Sequence, residues 1–186
     1  MRRCVAAVAV VLLFAVGACG GSDDSAPGED VATSDANDVA DSDDQAAAFD
    51  PCSEISADEV GTIIGATVTS EVGPFDVCEY DQEDPRATSV AIDTQPEAEL
   101  GGGFEVYKSG STSVLTDSQL HEIADIGDEA FAVTGRFGDG ENTQLQAAAL
   151  VDGVVITVNL TQASGLAADV LVDQATQLLR LAAAKA

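Results

Sequence analysis

Apolar and polar positions change rhythm three times along this chain of 186 residues. Val5 to Val16 is a continuous apolar run. Residues 20 to 49 have neither a helical nor a strand period. From residue 50 onward short periodic segments follow one another. Ser56-Ala57-Asp58-Glu59 reads as a capping box, with Val60, Ile63 and Ile64 on one face and Gly65 just past the end, which predicts a helix. Thr67 to Val72 predicts a strand, as does Asp76 to Asp81 with Cys78 and Tyr80 on one face. An acidic turn, Gln82-Glu83-Asp84-Pro85, leads to a strand over Thr88 to Thr94, where Val90 and Ile92 alternate with polar residues. Residues 97 to 109 are weakly helical and interrupted by Gly101-Gly102-Gly103, which reads as a flexible loop tip or a broken helix.

The last third has the plainest pattern. Phe131, Val133, Gly135 and Phe137 alternate, then Leu145, Ala147, Ala149 and Val151, then Val154, Ile156, Val158 and Leu160 against Val155, Thr157 and Asn159. Gly138 to Asn142 and Asp152-Gly153 supply the turns, the second favouring type I′. These segments predict an antiparallel meander with one better-buried face. A final helix is expected from Leu166 to Ala184. Its stripe of Ala167, Val170, Leu171, Gln174, Ala175, Leu178 and Ala182 should pack on the sheet, and Arg180 and Lys185 suit its C-terminal dipole.

The N-terminal run has a different meaning. Arg2 and Arg3 precede twelve apolar residues, too few for a bilayer core of about 30 Å but the right length for an export signal. The run ends in Val16-Gly17-Ala18-Cys19, which resembles the lipobox of bacterial lipoproteins. That resemblance implies cleavage before Cys19 and a diacylglyceryl group on its sulfur, palmitate being a typical chain. The alternative is an ordinary secretory signal with a chance Cys. Each buried CH₂ of an acyl chain contributes about 0.8 kcal/mol, so two chains anchor stably where one does so marginally. Three regions follow: residues 1–18 as lipoprotein signal peptide, 19–49 as acylated Cys plus disordered tether, and 50–186 as a single extracytoplasmic domain. The tether has nine acids and no base, and a coil of its length spans roughly 30 Å before like-charge repulsion extends it.

Charge then removes whole classes of function. The formal net charge is −26, and residues 51–186 alone carry five basic against 23 acidic residues. Such a surface repels phosphate backbones, so nucleic acid is excluded as a partner. Aromatics make up 4 % of residues and Trp is absent, which removes the usual stacking platforms for bases and sugars. The cysteines in the domain are Cys52 and Cys78, in an expected disulfide-permissive compartment, and a bridge between them is expected. A redox pair or metal site is disfavoured by the long spacing and the lack of a co-ligand.

No catalytic constellation emerges. His121-Glu122-Ile123-Ala124-Asp125 superficially matches HExxH, but the second ligand position is Asp125 and His121 is the only histidine. A solvated His in a polar segment is the expected reading. No GxSxG is present, and the Gly101–Gly103 run lacks the Lys-Ser/Thr of a phosphate loop. Asp125, Asp128 and Glu129 cluster oxygen ligands without EF-hand spacing, and the hairpin turn Gly138–Asn142 does the same. They are weak cation candidates; no metal site and no cofactor are assigned. Asn159-Leu160-Thr161 matches a glycosylation sequon but lies within a predicted strand.

The lipobox Cys, the acidic tether, Asp50-Pro51-Cys52-Ser53, a short helix ending in Gly65, Cys78-Glu79-Tyr80 and the later Ile126-Gly127-Asp128-Glu129-Ala130-Phe131 together resemble a family of uncharacterised actinobacterial lipoproteins with a domain of unknown function. The family's second Cys is commonly followed by Trp where this chain has Tyr80. The resemblance implies an α+β fold, an antiparallel sheet flanked by a short N-terminal helix and a long C-terminal helix, similar to Mog1p/PsbP-like folds. It implies no activity. The expected function is a non-enzymatic binding or accessory domain, lipid-anchored through Cys19 on the outer face of the cell membrane, with an envelope protein or ligand as partner. Two alternatives stand beside it: a carrier of a lipid or small apolar ligand in a pocket between the sheet and the final helix, and a cation-dependent enzyme.

Overall fold

The structure is a computed structural model, and it describes residues 49–186. The expected signal peptide, the expected acylation site Cys19 and the expected tether up to residue 48 lie outside the described residues. The described chain is α+β, with four α-helices and a seven-stranded sheet in which every pairing is antiparallel.

The chain enters through α1, Pro51–Glu54, a single turn capped by the Asp50 carboxylate, which accepts from the Cys52 amide. Next comes α2, Ala57–Ile64, and its capping box is formed in both directions between Ser56 and Glu59. Strands β1 (Thr69–Val72), β2 (Cys78–Asp81) and β3 (Ser89–Pro96) form one half of the sheet. A 3-10 turn, Glu97–Glu99, leads to α3, Gly103–Val114. The second half is a meander of β4 (Thr116–Ile123), β5 (Glu129–Arg136), β6 (Thr143–Val151) and β7 (Val154–Thr161). Finally α4, Ala168–Ala183, closes the domain. The sheet order is β1-β2-β3-β7-β6-β5-β4, so β7 returns to join the two halves.

Each face of this sheet has its own core. On one face, α1, α2 and α4 cover the side chains that alternate inward. Val60, Cys78, Tyr80, Val90, Ile92, Ile156, Val158 and Leu160 meet Leu171, Ala175, Leu178, Leu179 and Ala182, all essentially without solvent contact. Burying a Leu or Ile in this way is worth about 1.5–3 kcal/mol. The predicted Cys52–Cys78 disulfide is present and ties α1 to β2. Beside it the Tyr80 hydroxyl lies 3.1 Å from the Pro51 carbonyl and 3.0 Å from the Ile55 carbonyl, its acceptors. Burial, with the nearby charges of Glu59 and Asp50, pushes this phenol up to about 12.

The other face corrects the expectation of one better-buried side. Phe131, Val133, Ala148 and Val155 are buried there under Phe104 and Leu115. The cover is α3, which begins at Gly103 inside the segment expected to be weakly helical and broken by glycines and runs on past it to Val114. Its propensity is weak, but Phe104, Tyr107, Ser111 and Leu115 recur at helical spacing, and the Phe104 and Tyr107 rings lie 5.5 and 6.3 Å from that of Phe131. The Glu97 carboxylate accepts from the Phe104 amide and so satisfies a donor in the first turn. The polar segment around His121, given no element from its pattern, is β4, an edge strand paired with β5, and the expected solvated His is half-buried on it. In the Asp152-Gly153 turn both residues have positive φ, as type I′ requires.

Two outcomes follow. Replacing both Cys52 and Cys78 by Ala removes a cross-link between residues 26 positions apart and should lower unfolding stability by about 3.5 kcal/mol, read from denaturant midpoints. Glu59 accepts from Ser56 and Lys185, which hold its carboxyl near about 2 against an ordinary 4.5. A depressed folded-state value stabilises fully above the unfolded value and is lost as pH falls. The stability difference between the wild type and Glu59→Gln should therefore be full at neutral pH and shrink as pH falls from about 4.5 toward about 2.

Candidate functional site

Strand alternation sets up the site. Directly opposite residues in neighbouring antiparallel strands share a face. The register therefore places Ala91, Asn159, Gln146 and Val133 in one row across the sheet, and Ser89, Thr161 and Gly135 flank it on the same face. This is the face that α3 covers. The helix ends at Val114, however, and its cover stops over Val133. Beyond it the polar row is open to solvent.

The result is a groove of about 500 Å³ lined by Leu115, Phe137, Gln144, Gln146, Asn159 and Thr161, with Leu145 and Leu160 beneath. Leu145 and Leu160 are buried in the opposite core, so only their backbone reaches the floor. Leu115 forms one wall because Gly135 has no side chain: a Cβ there would sit 2.7 Å from Leu115 Cβ. Phe137 stands on the rim with 69 % of its surface exposed, although its alternation with Phe131 and Val133 predicts an inward position. The strand ends at Arg136, which pairs with Asp117, and the chain then turns outward.

One end of the groove is held by two glutamines. Gln144 accepts from the Gln162 backbone amide at 2.8 Å and donates to the Gln162 carbonyl at 3.0 Å. The buried Gln162 side chain donates to the Thr143 carbonyl and accepts from Ser164, Gly165 and Leu166. No side-chain hydrogen bond occupies Gln146 or Asn159 among the described residues, so their amides are free to meet a ligand. Sequence reasoning did not single out this groove. Its signal was the polar half of the alternation in β6 and β7.

The residues that sequence reasoning did single out are dispersed. His121 is half-buried on β4, with Nε2 2.9 Å from Thr134 Oγ1. It borders an open cavity of about 620 Å³ between β4 and α4, lined by polar and charged groups including Asp169, Asp173 and Arg180. Asp125 and Asp128 are exposed in the turn before β5, where Asp125 has positive φ. Glu129 is engaged elsewhere: Lys108 Nζ lies 2.8 Å from it and 3.0 Å from Glu122. This contact, led by the bond from Lys108, lowers the Glu129 carboxyl, while Glu129 and then Glu122 raise the Lys108 ammonium. Gly127 beside them leaves no room for a side chain, since a Cβ would fall 2.1 Å from the Leu150 carbonyl oxygen. Among the described residues the carboxylates that do converge are Glu71, Glu79 and Asp81, on β1 and β2 with Glu79 half-buried and ligand atoms within 4.8 Å of one another. Glu71 and Glu79 are opposite in register, a juxtaposition that spacing along the chain does not reveal.

No family model matches the chain, and no curated protein and no solved structure matches it either.

Gln162→Ala removes a donor and leaves several backbone groups without their partner. It should cost about 2–3 kcal/mol and raise hydrogen exchange at the Gly165 and Leu166 amides, measured by NMR.

Proposed function

We propose that this protein is a lipid-anchored cell-envelope protein whose domain binds rather than catalyses. The observation that carries the reading is Val16-Gly17-Ala18-Cys19 directly after a charged and then apolar N-terminal run. Acylation of Cys19 would place residues 20–49 as a spacer and the disulfide-bonded domain on the outer face of the membrane. The strong negative charge keeps such a domain off anionic lipid, so the acyl chains provide the attachment. The short motifs Asp50-Pro51-Cys52-Ser53, Cys78-Glu79-Tyr80 and Gly127-Asp128-Glu129-Ala130-Phe131 support membership of the actinobacterial lipoprotein family they resemble, and a sheet arrangement similar to Mog1p/PsbP-like folds.

A binding role is supported by the chemistry of the side chains. Nucleophilic catalysis needs an activated nucleophile that substrate can reach, and the hydroxyl beside the single imidazole, Thr134 next to His121, is buried on the neighbouring strand. An open groove with unoccupied amides offers recognition without a reacting group. The carrier alternative is less well supported, because the space between the sheet and α4 is filled by Leu171, Ala175, Leu178 and Leu179. The cavity at the border of α4 carries Asp169, Asp173 and Arg180, charged groups that an acyl chain would have to strip of water.

Expressed in a bacterium with lipoprotein processing, the wild type should partition into membranes and carry acyl mass on Cys19. Cys19→Ala should move it to the soluble fraction and remove that mass. Unchanged fractionation and mass would overturn the anchor.

A further inference from the structure

We propose that the groove beside Phe137 is a binding site for a neutral saccharide. The inference rests on the binding-domain reading above and adds the chemical class of the ligand.

The groove differs from the rest of the surface in charge. The folded region has 23 acids, yet Leu115, Phe137, Gln144, Gln146, Asn159 and Thr161 contain no ionisable group. An anionic ligand would meet no cation in the lining and a strongly negative protein around it. A cationic ligand would be drawn by that charge but would find no carboxylate in the lining to hold it there. A lipid chain would bury the Gln146 and Asn159 amides without partners, at a cost of about 1–3 kcal/mol for each group. An added peptide strand would need free backbone donors, but β6 and β7 are paired on both sides. What remains is an uncharged ligand, rich in hydroxyls, with one apolar face.

The geometry suits that class. Gln146 and Asn159 are opposite in register on adjacent strands, so their side chains leave the sheet about 5 Å apart. That spacing lets each amide reach a different hydroxyl of one pyranose ring. Each amide both donates and accepts, as a hydroxyl does. Thr161 adds a hydroxyl on β7, while Gln144 is committed to Gln162 and serves as a rigid end. The exposed Phe137 ring and the buried Leu115 wall offer apolar surface to the C–H face of a sugar. A volume of about 500 Å³ lies within the range of small-ligand sites and admits one or two sugar rings. Aromatics are scarce along the chain, but the fold sets one of them, Phe137, at the rim of this groove.

The test titrates the ¹⁵N-labelled protein with neutral linear hexaoses: α-glucan, β-glucan, mannan and N-acetylhexosamine. Uronic-acid oligomers, oligolysine and phosphatidylcholine vesicles are run beside them. The expected result is saturable shifts of the Gln146 and Asn159 side-chain amides and the Phe137 backbone amide with at least one hexaose. Phe137→Ala and Gln146→Ala should each weaken that binding about tenfold, while Phe137→Tyr preserves it. Both weakening variants alter groups on the open side of the sheet, and unchanged thermal unfolding verifies that they fold. Shifts absent with every hexaose at about 10 mM, or binding unaffected by Phe137→Ala, would overturn the inference. So would groove shifts produced only by oligolysine, the uronic oligomers or the vesicles. Photo-crosslinking in intact cells separates this from the broader reading. A neighbour captured from another surface, with no hexaose bound, overturns the saccharide and leaves the binding domain standing.

Discussion

Eight residue pairs, from Ser89↔Thr161 to Pro96↔Val154, join β3 to β7 and turn two separate strand groups into one sheet. Neither group has a complete core without the other. Val90 and Ile92 of β3 need Val158 and Leu160 of β7 beside them before α4 can cover a continuous apolar face. The pairing is remote in sequence, so chain entropy opposes it, although that cost grows only slowly with loop length. Burial under α4 offsets it on one face. The disulfide and the Tyr80 hydroxyl add a second long-range tie by fixing α1 on the β2 side of the same half.

The same register creates the open groove on the other face. It brings Ala91, Asn159 and Gln146 into line across three strands, and α3 covers only the continuation of that row at Val133. Phe131 is the reason α3 lies where it does, since Phe104 and Tyr107 both lean on its ring and Lys108 sits 6.0 Å from its centroid. A short helix over a broad sheet leaves part of the face uncovered. Amides and hydroxyls on that part keep it soluble without adding charge.

Local signals were strong where local chemistry decides the outcome. The capping box of α2, the alternation of β6 and β7, the Asp152-Gly153 turn and the α4 stripe from Leu171 to Ala182 all rest on contacts within a few residues or on one repeated period, although Ala167 and Val170, expected in that stripe, are exposed. The segments that were hard to read are those held from outside. Ser and Gly interrupt α3, which persists because Phe104, Tyr107 and Leu115 find partners on the sheet. In β4 the largely exposed residues conceal the alternation, and pairing to β5 is its main support. Pattern placed Phe137 inward, but the strand ends one residue earlier and the ring turns to the rim. Proximity in sequence made Asp125, Asp128 and Glu129 look like one cation site, whereas Lys108, from a different element, engages Glu129.

By itself the sequence determined the acidic charge, the α+β class and the pairing of Cys52 with Cys78. These follow from composition, local period and the number of available partners, none of which requires knowing what lies opposite what. Only the tertiary structure decided that β7 lies between β3 and β6, that the sheet has a core on each face, and that Gln146 and Asn159 stand together beside Phe137. Those facts depend on register and on where a helix stops. Both are settled by long-range burial, which a single chain read in order does not display.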